Sequence, residues 1–302
     1  MIRKISLILI GIAAVATTAI SIAKPGKKKP SVFSWVNIPE QLPGRCQHQV
    51  FRSASLDVDI GYCIYLPPGY GKKVNIKRRY PVVYHLHGGR PGSEAKSVKL
   101  ARFVDIGIKG EKIKPVIYVF ANGGPVSWYN MPGNKKAQGE DVFVKELIPH
   151  IDRAYRSDAN RGGRAIEGFS QGGRGTSRIM FKYPELFCSA APGGSGYGPE
   201  KKIQQSNGEE SKALKFTPGD DAWSLAKKYA NRKQRPVFPI LIWCGDKGFN
   251  YETNLEYLEY LNNELKVEAG QLIAPGIAHS ASQIYEKHGI KLMQFHQRNF
   301  SH

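Results

Sequence analysis

Residues 165–175 read AIEGFSQGGRG and place Ser170 between Gly168 and Gly172 in a Gly-x-Ser-x-Gly pattern. Gly and Ser are common turn residues, so the pattern alone also suits an ordinary strand-to-helix turn. The chemistry at stake is nucleophilic attack. A serine hydroxyl is a weak nucleophile until a base takes its proton. The base needs a group that orients it, and the charge that develops on the substrate needs N–H donors. The spacing fits a sharp elbow that lifts a hydroxyl above a sheet, because such an elbow needs small residues two positions either side.

The rest of the chain offers each helper. Behind an elbow of this kind the partners follow in the order serine, acid, histidine. Four histidines lie downstream: His279, His288, His296 and His302. Only His279, in PGIAHSASQ, falls in a strand-to-helix loop, and it is the expected base. The acid is expected after the penultimate strand, in LIWCGDKGFNYETN, where Asp246 comes first and Glu252 second. Glu252 opens the next helix, where an acid has a use of its own, so Asp246 is preferred. Oxyanion donors are expected from the amide of Gln171 and from Gly88 or Gly89 after HLHGG. Trp128 and Tyr129 follow a strand end and are candidate substrate-binding residues, with core packing as the alternative. His85 and His87 share a strand face, but no third ligand accompanies them and no metal is expected.

The elements that must hold these residues alternate. Two antiparallel strands are expected near 48–55 and 59–66. Strands in YPVVYHLHGG, KPVIYVFANGG, GRAIEGFS, LFCSAAPGGSG, FPILIWCG and AGQLIAPG then interleave with helical stretches. The helix over 140–156 should bend at Pro149, and the last helix should break near Gly289. Residues 197–217 carry no strong period and are expected to be an insertion over the sheet. Such alternation implies an α/β fold, a mostly parallel sheet with helices on both faces.

Arg3 and Lys4 precede an apolar stretch that ends in Ser21-Ile22-Ala23. That is the pattern of a signal peptide, so 1–23 is expected to be removed and the protein to be secreted or periplasmic. A basic linker and N-terminal segment at 24–40 and a catalytic domain at 41–302 complete the expected organisation. No later apolar run is long enough to span a bilayer, so no transmembrane segment is expected in the mature chain. The formal net charge is +19. It is scattered and comes with no nucleic-acid-binding motif, so no nucleic-acid partner is expected. Among the four cysteines, Cys46 and Cys63 flank a hairpin and are expected to pair, and Cys188 and Cys244 to stay as buried thiols.

Together YCIYLPPGYG, YPVVYHLHGG, ELIPHIDRAYR, IEGFSQGG, KYPELF and PGIAHS resemble the esterase D-like family of α/β-hydrolases, from about Cys46 to the end. The resemblance implies the α/β-hydrolase fold, Ser170 as nucleophile, His279 as base and no cofactor. It implies a serine carboxylic-ester hydrolase working through an acyl-enzyme, of feruloyl or acetylxylan esterase type, with an ester substrate on a polysaccharide. Relatives carry Gly-x-x-Asp after the penultimate strand, but here the third residue after Gly245 is Gly248. Two other readings therefore stand beside hydrolysis: acyl transfer to a sugar or lipid, and a catalytically weak carbohydrate- or surface-binding relative.

Overall fold

The computed structural model describes residues 33–301. The expected signal peptide and most of the basic linker lie outside them. An eight-stranded sheet runs in the order β1-β2-β4-β3-β5-β6-β9-β10. The hairpin β1 (Cys46–Ser53) and β2 (Val58–Tyr65) is antiparallel, and β2 pairs antiparallel with β4 (Ile117–Ala121). From β4 onward the neighbours β3 (Val82–Leu86), β5 (Arg164–Phe169), β6 (Ser189–Gly193), β9 (Leu241–Gly245) and β10 (Gly270–Ala274) are parallel.

The apolar runs of β3, β4 and β5 are buried on both faces, as parallel strands under helices must be. Alternation sorts their side chains. Tyr84, Leu86, Val119 and Ile166 join one core layer. Val83, Phe120, Ala165 and Phe169 join the other, with α1 (Ala101–Lys109) and α8 (Ala281–Asn299). From β3 the chain steps outward to β4 and then returns to β5 on the other side of β3. That reversal opens a crevice at the carboxyl ends of β3 and β5, the place where open α/β sheets bind ligands.

Several local expectations change. The helical stretch over 140–156 loses regular α geometry just before Pro149. The proline's missing N–H and its ring oppose a regular preceding turn, and a π-helical stretch, Val142–Leu147, precedes α3 (Ile148–Ala154). Helix α8 runs unbroken through Gly289, which packs against Tyr285. Residues 197–217 are ordered as α5 (Tyr197–Gln205) and a small hairpin, β7 (Glu209–Ser211) with β8 (Leu214–Lys215).

The expected Cys46–Cys63 disulfide is not formed, and all four cysteines are free and buried. Cys46 stands opposite Tyr65 and Cys63 opposite His48, so the two thiols are out of register by two residues. Burial pushes both thiols up to about 12, which leaves them protonated and unreactive at neutral pH.

Candidate active site

Ser170 sits at the sharp turn between β5 and α4 (Gln171–Lys182) with φ 61° and ψ −115°, a conformation few non-glycine residues adopt. Its N–H donates to Gly193 O at 2.8 Å, which pins the turn to the end of β6. Close approach of the backbones explains the flanking glycines. A Cβ on Gly172 would stand 1.9 Å from Leu86 O, and one on Gly168 would stand 2.5 Å from Gly172 O. The Ser170 side chain makes no capping bond to its helix, so the hydroxyl is left for other work. The first-turn N–H groups of α4, Gln171 foremost, have no partner within the helix and carry the positive end of its dipole.

The loop after β3 faces this elbow. A Cβ on Gly88 would lie 3.1 Å from Ser170 Cβ, so only glycine lets the loop pass. Three successive carbonyls of the loop are each held by a donor. Trp128 Nε1 donates to His87 O at 3.0 Å and Ser127 Oγ to Gly89 O at 2.9 Å. His87 Nδ1 donates to Gly88 O at 3.0 Å. His87 Nε2 in turn accepts from the amides of Gly123 and Ser93, which fixes the neutral tautomer. With the carbonyls turned to these donors, the amides of Gly88 and Gly89 donate to no acceptor among the described residues.

Trp128 and Tyr129 do not line an open site. Both are fully buried. Trp128 packs on His87 and so braces the loop, and the Tyr129 hydroxyl accepts from Arg174 Nη2. His85 is equally structural. Its Nδ1 lies 2.7 Å from Glu167 Oε1, and His296 Nε2 lies 3.3 Å from the other oxygen. Burial opposes the charge on Glu167, but the contacts with His296 and His85 outweigh it and bring the carboxyl down to about 2.

His279 lies in the loop between β10 and α8, with its ring centroid 4.6 Å from that of Phe169, the residue before Ser170. The group beside its Nδ1 is not a carboxylate. Asn250 Oδ1 is 3.2 Å away. The amide orientation follows from its other contacts, since Nδ2 donates to Gly194 O and to Ser195 O. Two carbonyls on the nitrogen side leave the oxygen facing the ring. His279 is thereby held with Nδ1 protonated and Nε2 as the acceptor, the tautomer that a general base needs.

Asp246 serves the loop rather than the ring. Its N–H donates to Ala274 O and its Oδ1 accepts from Gly276 N at 2.7 Å, three residues before His279. The bond from Gly248 N to Gly245 O turns the chain and carries Asn250 inward. Glu252 is exposed in the first turn of α7 (Tyr251–Glu259). Sequence reasoning missed Asn250, whose only signal is a polar side chain just ahead of that helix. It also missed a charged wall. Glu210 of β7 bridges Arg90 of the loop after β3 (3.0 Å) and Arg174 of α4 (3.1 Å), tying the insertion to both.

The buried imidazoles have a consequence for stability. Burial lowers His87 from 6.5 to about 3, and lowers His150 and His279 as well. A base whose folded pKa is depressed contributes stability above its unfolded pKa and loses it as pH falls toward the folded value. Glu167, lowered from 4.5 to about 2, loses its contribution below 4.5. His87 alone is therefore expected to lower the unfolding free energy by about 1.4 kcal/mol per pH unit below 6.5, while Glu200, which burial raises and which keeps its proton in the folded state, works in the opposite sense down to 4.5. The slope steepens to about 2.7 kcal/mol per unit below 4.5 as Glu167 joins. Urea midpoints measured between pH 7 and pH 3.5 check this. Comparison with a His87→Gln variant isolates the imidazole, and midpoints of identical slope in the two proteins from 6.5 to 4.5 would mean that His87 protonates in place.

The chain is similar in fold to solved esterases. A ferulic acid esterase superposes with a TM-score of 0.69 at 20% identity, over 85% of this chain and 98% of that one. An S-formylglutathione hydrolase from Agrobacterium tumefaciens superposes with a TM-score of 0.64 at 19% identity, over 85% and 95%. In sequence it is 37% identical over 149 residues to an endo-1,4-beta-xylanase/feruloyl esterase of Xylanibacter ruminicola, 48% of this chain and 20% of that protein. It is 30% identical over 144 residues to the esterase Rv1288 of Mycobacterium tuberculosis, 47% of this chain and 30% of that protein. The chain thus spans less than a third of the length of either curated relative. The fold is that of the α/β-hydrolases, and the family model described as "Putative esterase" matches residues 53–275. By that match, which spans the elbow and the glycine loop after β3 and ends four residues before His279, the chain belongs to this esterase family.

Proposed function

We propose that the protein is a serine carboxylic-ester hydrolase that works through an acyl-enzyme. The observation that carries this reading is the strained Ser170 at the N-terminus of α4, with an oriented, neutral His279 packed against the preceding residue. Ser170 Oγ attacks the ester carbonyl as His279 Nε2 takes its proton. The oxyanion rests on the amides of Gln171 and of Gly88 or Gly89. Collapse of the tetrahedral intermediate breaks the bond to the alcohol oxygen, which leaves with the proton from Nε2. Water, activated by the same nitrogen, then releases the acid and restores Ser170.

The names of the relatives favour feruloyl esters carried on a polysaccharide as substrates, and acetyl esters of the same carriers stand beside them by the family resemblance alone. The amino-terminal pattern favours a signal peptide over 1–23, a linker to residue 40, a catalytic domain beyond it, and a secreted or periplasmic protein. No described helix is long and apolar enough to cross a membrane. Acyl transfer shares the acyl-enzyme and differs only in the acceptor, so product analysis with an alcohol present separates the two. The uncharged Asn250 is the one observation that favours a catalytically weak, carbohydrate-binding relative. A fluorophosphonate probe on the folded protein tests the main reading. Covalent labelling mapped to Ser170, with turnover of esters from a natural panel, is the expected result. Absence of labelling at Ser170 would overturn it.

A further inference from the structure

Phe249 is among the most solvent-exposed large apolar residues of the described chain, at 84% exposure. Single exposed apolar residues are normal on a surface, but the position of this one is not incidental. Its ring centroid lies 4.4 Å from that of His279, which is also packed against Phe169. The backbone beneath it is fixed. Gly248 N bonds to Gly245 O, Tyr251 N to Gly248 O, and Lys247 N to Ile277 O. The next residue, Asn250, is buried and bonded. A rigid turn therefore presents a bare phenyl ring beside the catalytic base.

We infer that Phe249 is the platform for a sugar ring in the leaving alcohol, and so a specificity-determining residue. This inference rests on the esterase reading above. His279 must hand its proton to the alcohol oxygen, so the alcohol lies on the histidine side of the scissile bond and the acyl oxygen on the Gln171 side. Phe249 flanks the histidine, so what it meets is the alcohol. A flat apolar ring with polar groups around it suits a pyranose or furanose, which offers a face of C–H groups and a rim of hydroxyls. The polar groups are present. Lys247 is exposed on the same turn, and Asp246 gives one carboxylate oxygen to Gly276 N. The other oxygen of Asp246 has no partner among the described residues and can accept from a hydroxyl.

The test compares two esters that share an acetyl group, a mono-acetylated methyl xyloside and ethyl acetate, on the wild type, Phe249→Ala and Phe249→Trp. The ratio of kcat/KM for the sugar ester to that for ethyl acetate is expected to fall about tenfold in Phe249→Ala, mainly through KM for the sugar ester. Phe249→Trp is expected to keep the ratio. An unchanged ratio in Phe249→Ala, or an equal loss on both esters, would overturn the proposal, because the ring would then only prop His279. If neither ester is turned over and the fluorophosphonate fails to label, it is the esterase reading that has failed. The platform is then read by NMR titration with methyl xyloside alone. Weaker binding to Phe249→Ala than to the wild type supports it, and equal or no binding to both overturns it.

Discussion

Ser170→Ala is expected to leave the melting temperature unchanged and to slow ester hydrolysis by about 10⁴-fold or more. The fold should not notice the change, because the side chain makes no capping bond and alanine keeps the same Cβ in the same strained turn. Catalysis should notice it fully, because serine and its histidine act as a unit and neither works alone. What survives is binding plus the N–H groups of Gln171 and the glycine loop, which still favour a tetrahedral oxyanion when water attacks. The loss should stop short of what an aspartate-supported triad would show, since the wild type already lacks a charge behind its imidazole. Steady-state kinetics on an aryl acetate, with the alanine variant as background, measure it. Retention of most of the activity would remove Ser170 from the mechanism.

Much of this site was legible from residue types and order. The elbow could be read because two glycines at fixed offsets and an apolar strand before them leave few other structures. The place of His279 in a strand-to-helix loop could be read because only one downstream histidine follows a strand. The acid could not be read, for a geometric reason. The turn that closes on the bond from Gly248 N to Gly245 O decides which of several polar side chains in GDKGFN faces the ring. One hydrogen bond in a loop, invisible to periodicity, separates Asp246 from Asn250. Of the two places open to Trp128 and Tyr129, the site wall and the core, they take the core, and position after a strand does not tell inward from outward. The positive φ of 71° at Trp128 turns its indole under the loop rather than over the crevice. The cysteines show the same limit. Two cysteines in a hairpin bond only if the register sets them face to face, and here it is offset by two residues.

The geometry around Asn250 sets up the remaining prediction, about where this site can accept a negative charge. Asn250→Asp is the obvious way to restore an acid, and it is expected to fail. The aspartate would place one oxygen on His279 Nδ1, as wanted. Its second oxygen would then face Gly194 O and Ser195 O, where the amide nitrogen now donates. Lost bonds and opposed lone pairs should cost about 3 kcal/mol of stability and favour a protonated carboxyl over a charged one. Gly248 is the better position. A Cβ there would lie 3.2 Å from Gly245 O, 3.3 Å from Asn250 Oδ1 and 3.7 Å from the backbone N of His279, on the side that Asn250 fills. Gly248→Asp alone would crowd Asn250, but with Asn250→Ala the space opens. Ser195 O keeps a donor, because Asn254 Nδ2 also reaches it at 2.9 Å, and only Gly194 O loses its side-chain donor. The double variant is therefore expected to raise kcat/KM for a simple acetate about tenfold or more, by stabilising the imidazolium that forms in the transition state. It should also move the acid limb of the pH–rate profile. In the wild type burial holds the His279 pKa below the ordinary 6.5, and only the neutral ring is a base, so activity persists into mildly acidic solution. A carboxylate at position 248 favours the charged ring and shifts that limb upward. A double variant with unchanged rate and unchanged limb would show that the side chain at 248 does not reach the ring. An Asn250→Asp protein as stable as the wild type and faster would show that the Asn250 amide faces the other way.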